Sequence, residues 1–220
     1  MSLPRQLLTF GGGDKDWREK WVPNRDLLNF PKSYRMILVG RPNSGKSTAV
    51  LNILLRAQPV FDEIFLLHCD KDSKDYEDVD TIKLDGIPDV KTFSSKGCKC
   101  LIIDDYPFAD MNKEDKKKFS VLFRYISSHK NVSIMLTSQN LYSIPIIARR
   151  TSNVFIIWKS PDLSYVNTMS QRCGLRSDKF LKLLDEYLLN FYDSLWVDCT
   201  LNTPSPIRIN GYEVIDPKSI

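Results

Sequence analysis

Apolar and polar positions along the chain predict a series of short buried strands separated by helices. Uninterrupted apolar runs are typical of strands that are covered on both faces. Apolar residues at helical spacing, such as Phe119, Leu122 and Ile126, lie between these runs. Strands that alternate with helices imply an α/β fold with a mostly parallel sheet and right-handed crossovers. The predicted strands are 35–40, 63–68, 98–104, 132–137 and 153–158, the predicted helices are 46–57, 111–129, 162–172 and 177–190, and 195–199 with 207–210 predict a C-terminal β-hairpin.

The first part of the chain has a different pattern and predicts an N-terminal arm over residues 1–33. Gly11, Gly12 and Gly13 form a flexible joint, and Trp17 and Trp21 are four residues apart, on one face of a two-turn helix. These tryptophans suit docking on a neighbouring subunit, and they suit equally well the capping of an edge of their own sheet. The remaining residues, 34–220, have the length of one α/β domain.

Composition indicates a soluble protein without a membrane partner. Of the 220 residues, 42% are hydrophobic and 26% are charged, as in ordinary globular proteins. No apolar stretch approaches the ~20 residues of a membrane span, and the apolar run at the N-terminus is too short for a secretory signal. The five cysteines are an odd number without paired spacing, which favours reduced thiols and an intracellular location.

The net charge of the chain and its possible metal ligands exclude few classes of partner. The net charge of +4 permits an anionic partner without requiring one. Residues 70–85 are strongly acidic and predict a loop with one short strand, so basic residues dominate more strongly elsewhere. A zinc site is not expected, because Cys98 and Cys100 are separated by one residue, whereas zinc ligand pairs usually have two to four between them. His68 and His129 are expected to be structural, since phosphoryl transfer needs no histidine base.

A glycine-containing loop between the first predicted strand and the first predicted helix carries the clearest chemistry. Its eight residues fit the phosphate-binding pattern G-x-x-x-x-G-K-[ST]. The glycines let successive backbone N–H groups point at phosphate oxygens, and the helix adds the positive end of its dipole. Lys46 is expected to reach the β- and γ-phosphates, and Ser47 to bind Mg²⁺. The expected ATP-binding residues are Gly40, Arg41, Pro42, Asn43, Ser44, Gly45, Lys46, Ser47 and Thr48.

Two adjacent carboxylates follow the predicted strand 98–104 and have the form of a Walker B element. Asp104, at the end of the strand, is expected to bind Mg²⁺ together with Ser47. Asp105 is expected to be catalytic by orienting or deprotonating the attacking water. An alternative is that these acids merely begin a turn, because Pro107 follows closely.

The polar end of the strand 132–137 supplies a third candidate. In P-loop ATPases with a second acid in the Walker B element, an extra strand lies between the loop strand and the Walker B strand. A polar residue at its tip then faces the γ-phosphate. Gln139 is expected to bind this phosphate or the attacking water, although polar clusters are also common at strand ends without any such role.

These motifs together resemble the poxvirus-type genome-packaging ATPases of the FtsK/HerA superfamily. The resemblance covers about residues 30–215 and is carried by the loop 40–47, by Asp104-Asp105, by Ser128-His-Lys-Asn-Val-Ser133 and by Thr137-Ser-Gln139. It implies a P-loop NTPase fold of the RecA/ASCE type and a ring of five or six identical subunits that drives double-stranded DNA into a capsid. It further implies capsid proteins as partners, and a place in the host cytoplasm, the viral factory or the virion.

The chain departs from this family at one position. Members often have Arg-His before the glutamine strand, and the arginine is a candidate finger that reaches a neighbouring subunit's ATP. Here the pair reads Ser128-His129. The substitutes are Arg124, Lys130, Arg149 and Arg150, each of which is equally interpretable as a solvated basic side chain.

Other functions share parts of this pattern. A nucleotide or small-molecule kinase uses the same loop but usually has an arginine-rich lid, for which Arg149-Arg150 is the nearest match. A GTP-binding switch would need an Asn-Lys-x-Asp guanine reader, which the sequence does not contain. A DNA-partitioning or helicase-loading ATPase stays open. The lysines between 113 and 118 alternate with acids and predict a solvated helix face.

Overall fold

Nine strands form one sheet in the computed structural model, which describes residues 28–216 apart from 32, 71, 94–95, 201–202 and 204. The strands are β1 (Arg35–Val39), β2 (Glu63–His68), β3 (Ile82–Lys83), β4 (Lys99–Asp104), β5 (Val132–Ser138), β6 (Val154–Trp158), β7 (Ser194–Asp198), β8 (Ile207–Ile209) and β9 (Glu213–Ile215). Their order in the sheet is β3-β2-β4-β5-β1-β6-β7-β8-β9. Strands β1 to β6 are parallel, and β7 to β9 extend the sheet in antiparallel fashion. The predicted α/β class with a mostly parallel sheet is confirmed.

Strand β5 lies between β1 and β4, as the sequence predicted for an extra strand beside the phosphate-binding loop. Leu38 of β1 pairs with Thr137 of β5, and Leu136 of β5 pairs with Ile103 of β4. Every position of β4 and β5 is buried, which explains why both are nearly continuous apolar runs. Because the three strands are parallel, their carboxyl ends meet at one edge of the sheet, where ligands bind in open α/β folds.

Helices cover both faces of the sheet. They are α1 (Lys46–Arg56), α2 (Lys113–Val121), α3 (Ile146–Thr151), α4 (Val166–Cys173) and α5 (Ser177–Tyr187). Helix α2 continues through a π-helical segment (Leu122–Ile126) and a last turn (Ser127–His129). It begins later than predicted because the Asn112 side chain accepts the Asp115 N–H, 2.8 Å away, and so caps the helix. No helix in the described part of the chain is long and apolar enough to cross a bilayer.

Alternate residues of β4 point to two separate cores. Cys100 and Ile102 belong to the core under α1, whereas Leu101 and Ile103 belong to the larger core under α2 to α5. This follows from the two-residue period of a strand. The same alternation directs Asp104, the last residue of β4, to the α1 side of the sheet, where the phosphate-binding loop begins its helix.

The two ends of the domain pack against each other on the α1 side. Phe30 is fully buried and stacks on Trp196 of β7 with ring centroids 5.6 Å apart. The Arg208 guanidinium lies over the Phe30 ring, 4.7 Å from its centroid. The predicted arm falls mostly on residues 1–27, including Trp17 and Trp21, which lie outside the described residues.

The predicted C-terminal hairpin is present as β7 and β8, with Trp196 opposite Arg208. A third antiparallel strand, β9, follows and was not predicted. Asn210 and Gly211 between β8 and β9 both have left-handed backbone angles, with φ of 52° and 86°. Asn-Gly is a strong turn signal because both residues tolerate this conformation, so the second hairpin was readable from the sequence.

Candidate functional site

The loop between β1 and α1 curls tightly around its own lysine. Asn43 and Gly45 have left-handed backbone angles, with φ of 63° and 98°. The Lys46 ammonium donates hydrogen bonds to the carbonyl oxygens of Gly40 and Arg41, at 3.0 and 3.1 Å. No carboxylate of the described residues forms an ion pair with it, although Lys46 is only 7% exposed. A buried cation without a countercharge is suited to an anionic ligand.

Close packing at the base of the loop explains its first glycine. A Cβ atom on Gly40 would lie 2.4 Å from Ser44 Oγ and 3.0 Å from the Trp158 ring, so no other residue fits without displacement. The Ser44 hydroxyl is itself buried and has no hydrogen-bond partner among the described residues. An unpaired buried hydroxyl is costly, and phosphate oxygens are acceptors that could satisfy it.

Asp104 is held by its neighbour on β5. The Thr137 hydroxyl donates a hydrogen bond to Asp104 Oδ1 and accepts the Asp105 backbone N–H at 3.1 Å. Burial raises the pKa of the Asp104 carboxyl. The hydrogen bond from Thr137 lowers this pKa, and so do the nearby Tyr76 hydroxyl and the charge of His68. The carboxylate is therefore desolvated and fixed in place, as a metal ligand needs to be.

Tyr76, from the acidic segment between β2 and β3, lies beside Asp104. Its ring packs in the core under α1, and its buried hydroxyl lies close to both the Asp104 carboxylate and the Ser47 hydroxyl. The hydroxyl does not meet the geometry of a hydrogen bond to any described residue. Burial and the Asp104 charge raise the pKa of Tyr76 well above its ordinary value. The two predicted magnesium ligands thus face a common point, and their oxygen atoms are of the type that Mg²⁺ prefers.

The two predicted residues nearest the reacting phosphate lie at the rim of this site. Asp105 is half-buried, with a left-handed φ of 42°, and its carboxylate has no hydrogen-bond partner among the described residues. Gln139 is exposed just beyond β5 and lines a narrow cleft together with Gly40. The catalytic roles of Asp105 and Gln139 stay predictions.

None of the four candidate finger cations forms a hydrogen bond or ion pair with the phosphate-binding loop within the described residues. Arg124 and Arg150 are exposed. Lys130 directly precedes β5, so it lies at the opposite edge of the sheet, roughly 20 Å along the strand from the loop. Arg149 donates to the Ile144 carbonyl oxygen at 3.0 Å and is partly fixed. The finger role of these four residues stays a prediction.

A cavity of about 600 Å³ opens beside the loop, between α1 and the antiparallel end of the sheet. Gly45 and Asn52 line one side, and Tyr192, Trp196 and Tyr212 line the other. The Tyr192 ring adjoins the loop, since a Cβ on Gly45 would lie 3.8 Å from Tyr192 Cδ1. The size and aromatic lining are those of a small-molecule site.

Comparison with known proteins rests on structure alone. No protein-family model matches the chain, and no curated protein matches its sequence. The genome packaging NTPase B204 from Sulfolobus turreted icosahedral virus 2 superposes with a TM-score of 0.56 and 16% identity, over 79% of this chain and 94% of that one. B204 from Sulfolobus turreted icosahedral virus, described as a DNA-packaging ATPase, gives 0.56 and 14%, over 81% and 97%. The chain shares the α/β fold of these packaging NTPases.

A conjugation coupling protein has a similar fold. The pCW3 conjugation coupling protein TcpA, solved with ATPγS, superposes with a TM-score of 0.51 and 15% identity. The match spans 87% of this chain and 63% of TcpA. At such identities the similarity establishes the fold, and the role of each residue has to be argued from its own surroundings.

Sequence reasoning missed two residues that shape the site. Thr137 was visible as a polar position inside a fully buried strand, a pattern that calls for a hydrogen-bond partner. Tyr76 lies in an acidic loop without periodicity, and no sequence signal pointed to it. His68 was expected to be structural, yet its Nε2 lies 3.6 Å from Asp104 Oδ2.

Proposed function

We propose that this chain is an ATP-hydrolysing motor that moves double-stranded DNA into a viral capsid, without sequence preference, as a ring of five or six identical subunits. The observation that carries the proposal is the meeting of Lys46, Ser47 and Asp104 at the carboxyl edge of a sheet with β5 inserted between β1 and β4. The shared fold with two packaging NTPases from viruses supports the choice of DNA as the substrate of the motor.

Binding of the triphosphate would exchange internal contacts of the loop for contacts with phosphate. The Lys46 ammonium, now donating to Gly40 and Arg41, would turn its donors to the β- and γ-phosphate oxygens. The Ser44 hydroxyl would gain an acceptor. Ser47 and Asp104 would hold Mg²⁺, which when bound neutralises charge on the β- and γ-phosphate oxygens.

Asp105 and Gln139 would act on the attacking water. The Asp105 carboxylate is not tied to any described side chain, so it is available to accept a hydrogen bond from water and to orient it in line with the γ-phosphate. The Gln139 amide lies across the cleft at Gly40 and would contact the γ-phosphate or the same water. Thr137 would keep Asp105 in place, because the Thr137 hydroxyl accepts the Asp105 backbone N–H.

The cavity beside the loop would take the nucleoside. Its opening at Gly45 continues directly from the phosphate-binding backbone, and the Tyr192 ring offers a face on which a base can stack. Asn52 and Asn210 supply amide groups that can form hydrogen bonds with a base or ribose.

The proposed ring would bring a second cation to the phosphates of each subunit. Among the described residues, Lys46 is the buried cation of the loop and Arg41 is exposed, whereas the charge that develops in phosphoryl transfer is usually met by a further cation from outside the loop. Arg124, Lys130, Arg149 and Arg150 are the candidates for a cation that a neighbouring subunit would supply. Residues 1–33 are proposed to contribute to the contact between subunits. Capsid proteins would anchor the ring, in the host cytoplasm, the viral factory or the virion.

The test is an ATPase assay with and without duplex DNA, together with a mass measurement of the protein in solution. We expect magnesium-dependent hydrolysis that DNA of any sequence stimulates, in an assembly of five or six chains. Lys46→Ala, which removes the phosphate-facing cation and no core contact, serves as the inactive control. Transfer of phosphate to a small acceptor, with no response to DNA, would instead identify a kinase.

A further inference from the structure

Three side chains from separate segments meet beside the Walker B strand. His68 ends β2, Asp75 comes from the acidic loop, and Asp104 ends β4 directly opposite His68 in the sheet register. One ligand atom from each, the imidazole nitrogen and two carboxylate oxygens, lies within 4.8 Å of the others. Atoms bound to one cation at about 2.0–2.3 Å stand at most ~4.6 Å apart, so the three side chains need to move slightly closer together to bind one ion.

The imidazole of His68 is oriented as a metal ligand. Its Nδ1 lies 2.6 Å from the Asp70 carbonyl oxygen, and the Asp70 N–H is 2.9 Å from the same nitrogen. The two contacts need opposite tautomers, because the Asp70 N–H can donate only to an unprotonated Nδ1, whereas the contact with the carbonyl oxygen needs a hydrogen on Nδ1. The shorter contact favours the hydrogen on Nδ1, and the Nε2 lone pair then faces Asp104 Oδ2, 3.6 Å away. Metal-binding histidines commonly donate their second N–H to a backbone carbonyl in this way.

Tyr76 provides a second observation at this cluster. Its side chain is more than nine-tenths buried, at 4% exposure, and its hydroxyl has no hydrogen-bond partner among the described residues. The hydroxyl is directed to Asp104 and lies near Asp75 as well. No described lysine or arginine forms an ion pair with either carboxylate. A cation and its bound water would stabilise these groups, which are the two carboxylates, the lone pair of the His68 imidazole and the Tyr76 hydroxyl.

We propose that His68, Asp75 and Asp104 form a binding site for a divalent transition-metal cation such as Mn²⁺, which binds without nucleotide. The mixed nitrogen and oxygen donors favour such an ion, whereas Mg²⁺ prefers oxygen alone. Asp104 belongs to both sites: Oδ1 is held by Thr137, and Oδ2 faces His68. The bound ion connects the acidic loop to the Walker B strand and gives the Tyr76 hydroxyl a water to bind.

The experiment is a titration of the nucleotide-free protein with Mn²⁺, followed by electron paramagnetic resonance. We expect one bound ion per chain in the wild type. Asp75→Asn and His68→Gln weaken its affinity at least tenfold, because each removes a ligand. Asp78→Asn, which neutralises an exposed acid of the same loop outside the cluster, leaves the affinity unchanged, and so does Ser47→Ala. If Ser47→Ala weakens binding while Asp75→Asn does not, the ion occupies the nucleotide's magnesium site and the proposal is wrong.

A second measurement on the wild type avoids any dependence on folding of the variants. Electron spin-echo spectroscopy of the Mn²⁺-loaded protein detects the ¹⁴N nucleus of a coordinated imidazole. We expect this coupling, and its absence would overturn the role of His68. Neither measurement involves ATP or DNA, so failure of the proposed motor function and failure of this site give separate results.

Discussion

The Thr137 hydroxyl donates a hydrogen bond to Asp104 on the neighbouring strand and accepts the backbone N–H of Asp105. One side chain of β5 therefore fixes both acids that follow β4. Gln139 lies two residues further along the same chain segment, beside the phosphate-binding loop. The inserted strand thus joins the metal-binding acid, the proposed catalytic acid and the strand-tip amide in one rigid unit.

Replacing Thr137 tests this connection. Thr137→Val keeps the shape of the side chain but leaves the buried Asp104 carboxylate and the Asp105 N–H without their partner. We expect the free energy of unfolding to fall by about 1–3 kcal/mol and ATP turnover to fall at least tenfold. Thr137→Ser, which retains the hydroxyl, is the matched control and should stay near the wild type. Denaturant unfolding and steady-state kinetics measure both effects, and a Val variant as stable and active as the Ser variant would contradict the role.

Asp104 should cost stability at neutral pH when no metal is bound. Because burial raises the pKa of this carboxyl, the folded state favours the neutral acid. Its stabilising contribution is fully present below the pKa of an unfolded aspartate, ~4, and is lost as pH rises through the raised pKa. We expect Asp104→Asn to raise the Tm of the nucleotide-free protein by a few degrees at pH 7, and the gain to vanish near pH 4. A gain of equal size at both pH values would argue against this explanation.

Asp105, the adjacent acid, should affect turnover and not the binding of MgATP. Asp105→Asn removes the proposed base but leaves Ser47, Asp104 and the loop intact, so we expect MgATP to bind with near-normal affinity while turnover falls about 10²–10⁴-fold. Asp104→Asn should instead weaken magnesium-dependent nucleotide binding itself. Calorimetric titration with a non-hydrolysable analogue separates the two outcomes. Equal loss of binding in both variants would show that the division of roles is wrong.

Base stacking on Tyr192 gives a fourth prediction. Tyr192→Ala removes the aromatic face beside Gly45, and we expect nucleotide affinity to fall about tenfold, the effect of ~1–1.5 kcal/mol of stacking. Tyr192→Phe keeps the ring and should bind like the wild type. The Tyr192 side chain is 70% exposed, so neither change should affect the Tm appreciably. An Ala variant with unaltered affinity would place the nucleoside elsewhere.

The strands and the phosphate-binding loop were predictable because their signals are local. Continuous apolar runs report burial on both faces, and the glycine pattern reports a backbone shape. The contact between Thr137 and Asp104 depends on which strands become neighbours, and only the second acid of the Walker B element hinted at that order. Tyr76 and Asp75 reach the site through the path of a loop, which no periodicity records. His68 became a candidate ligand only when its register opposite Asp104 was known.

Hydrolysis should require two subunits at each site. Within the described residues, Lys46 is the buried cation of the loop, and an arginine finger from a neighbouring subunit would contribute ~10³–10⁵ in rate. Lys130 and the three arginines at 124, 149 and 150 are the candidates for this finger. We therefore expect specific activity to rise with protein concentration as rings assemble, with little turnover in dilute monomer.

Mixing of variants then identifies the finger. Lys46→Ala lacks a working loop but keeps its finger, whereas a finger variant such as Arg149→Ala has the opposite defect. Each alone should be nearly inactive. When they are mixed, some interfaces pair an intact loop with an intact finger, so part of the activity should return. Arg124→Ala, Lys130→Ala and Arg150→Ala, mixed in the same way, serve as parallel controls, because a variant at a merely solvated position is active on its own. Dilute monomer that is as active per chain as concentrated protein, with no recovery in any mixture, would refute the shared site and favour an enzyme that completes its chemistry within one chain.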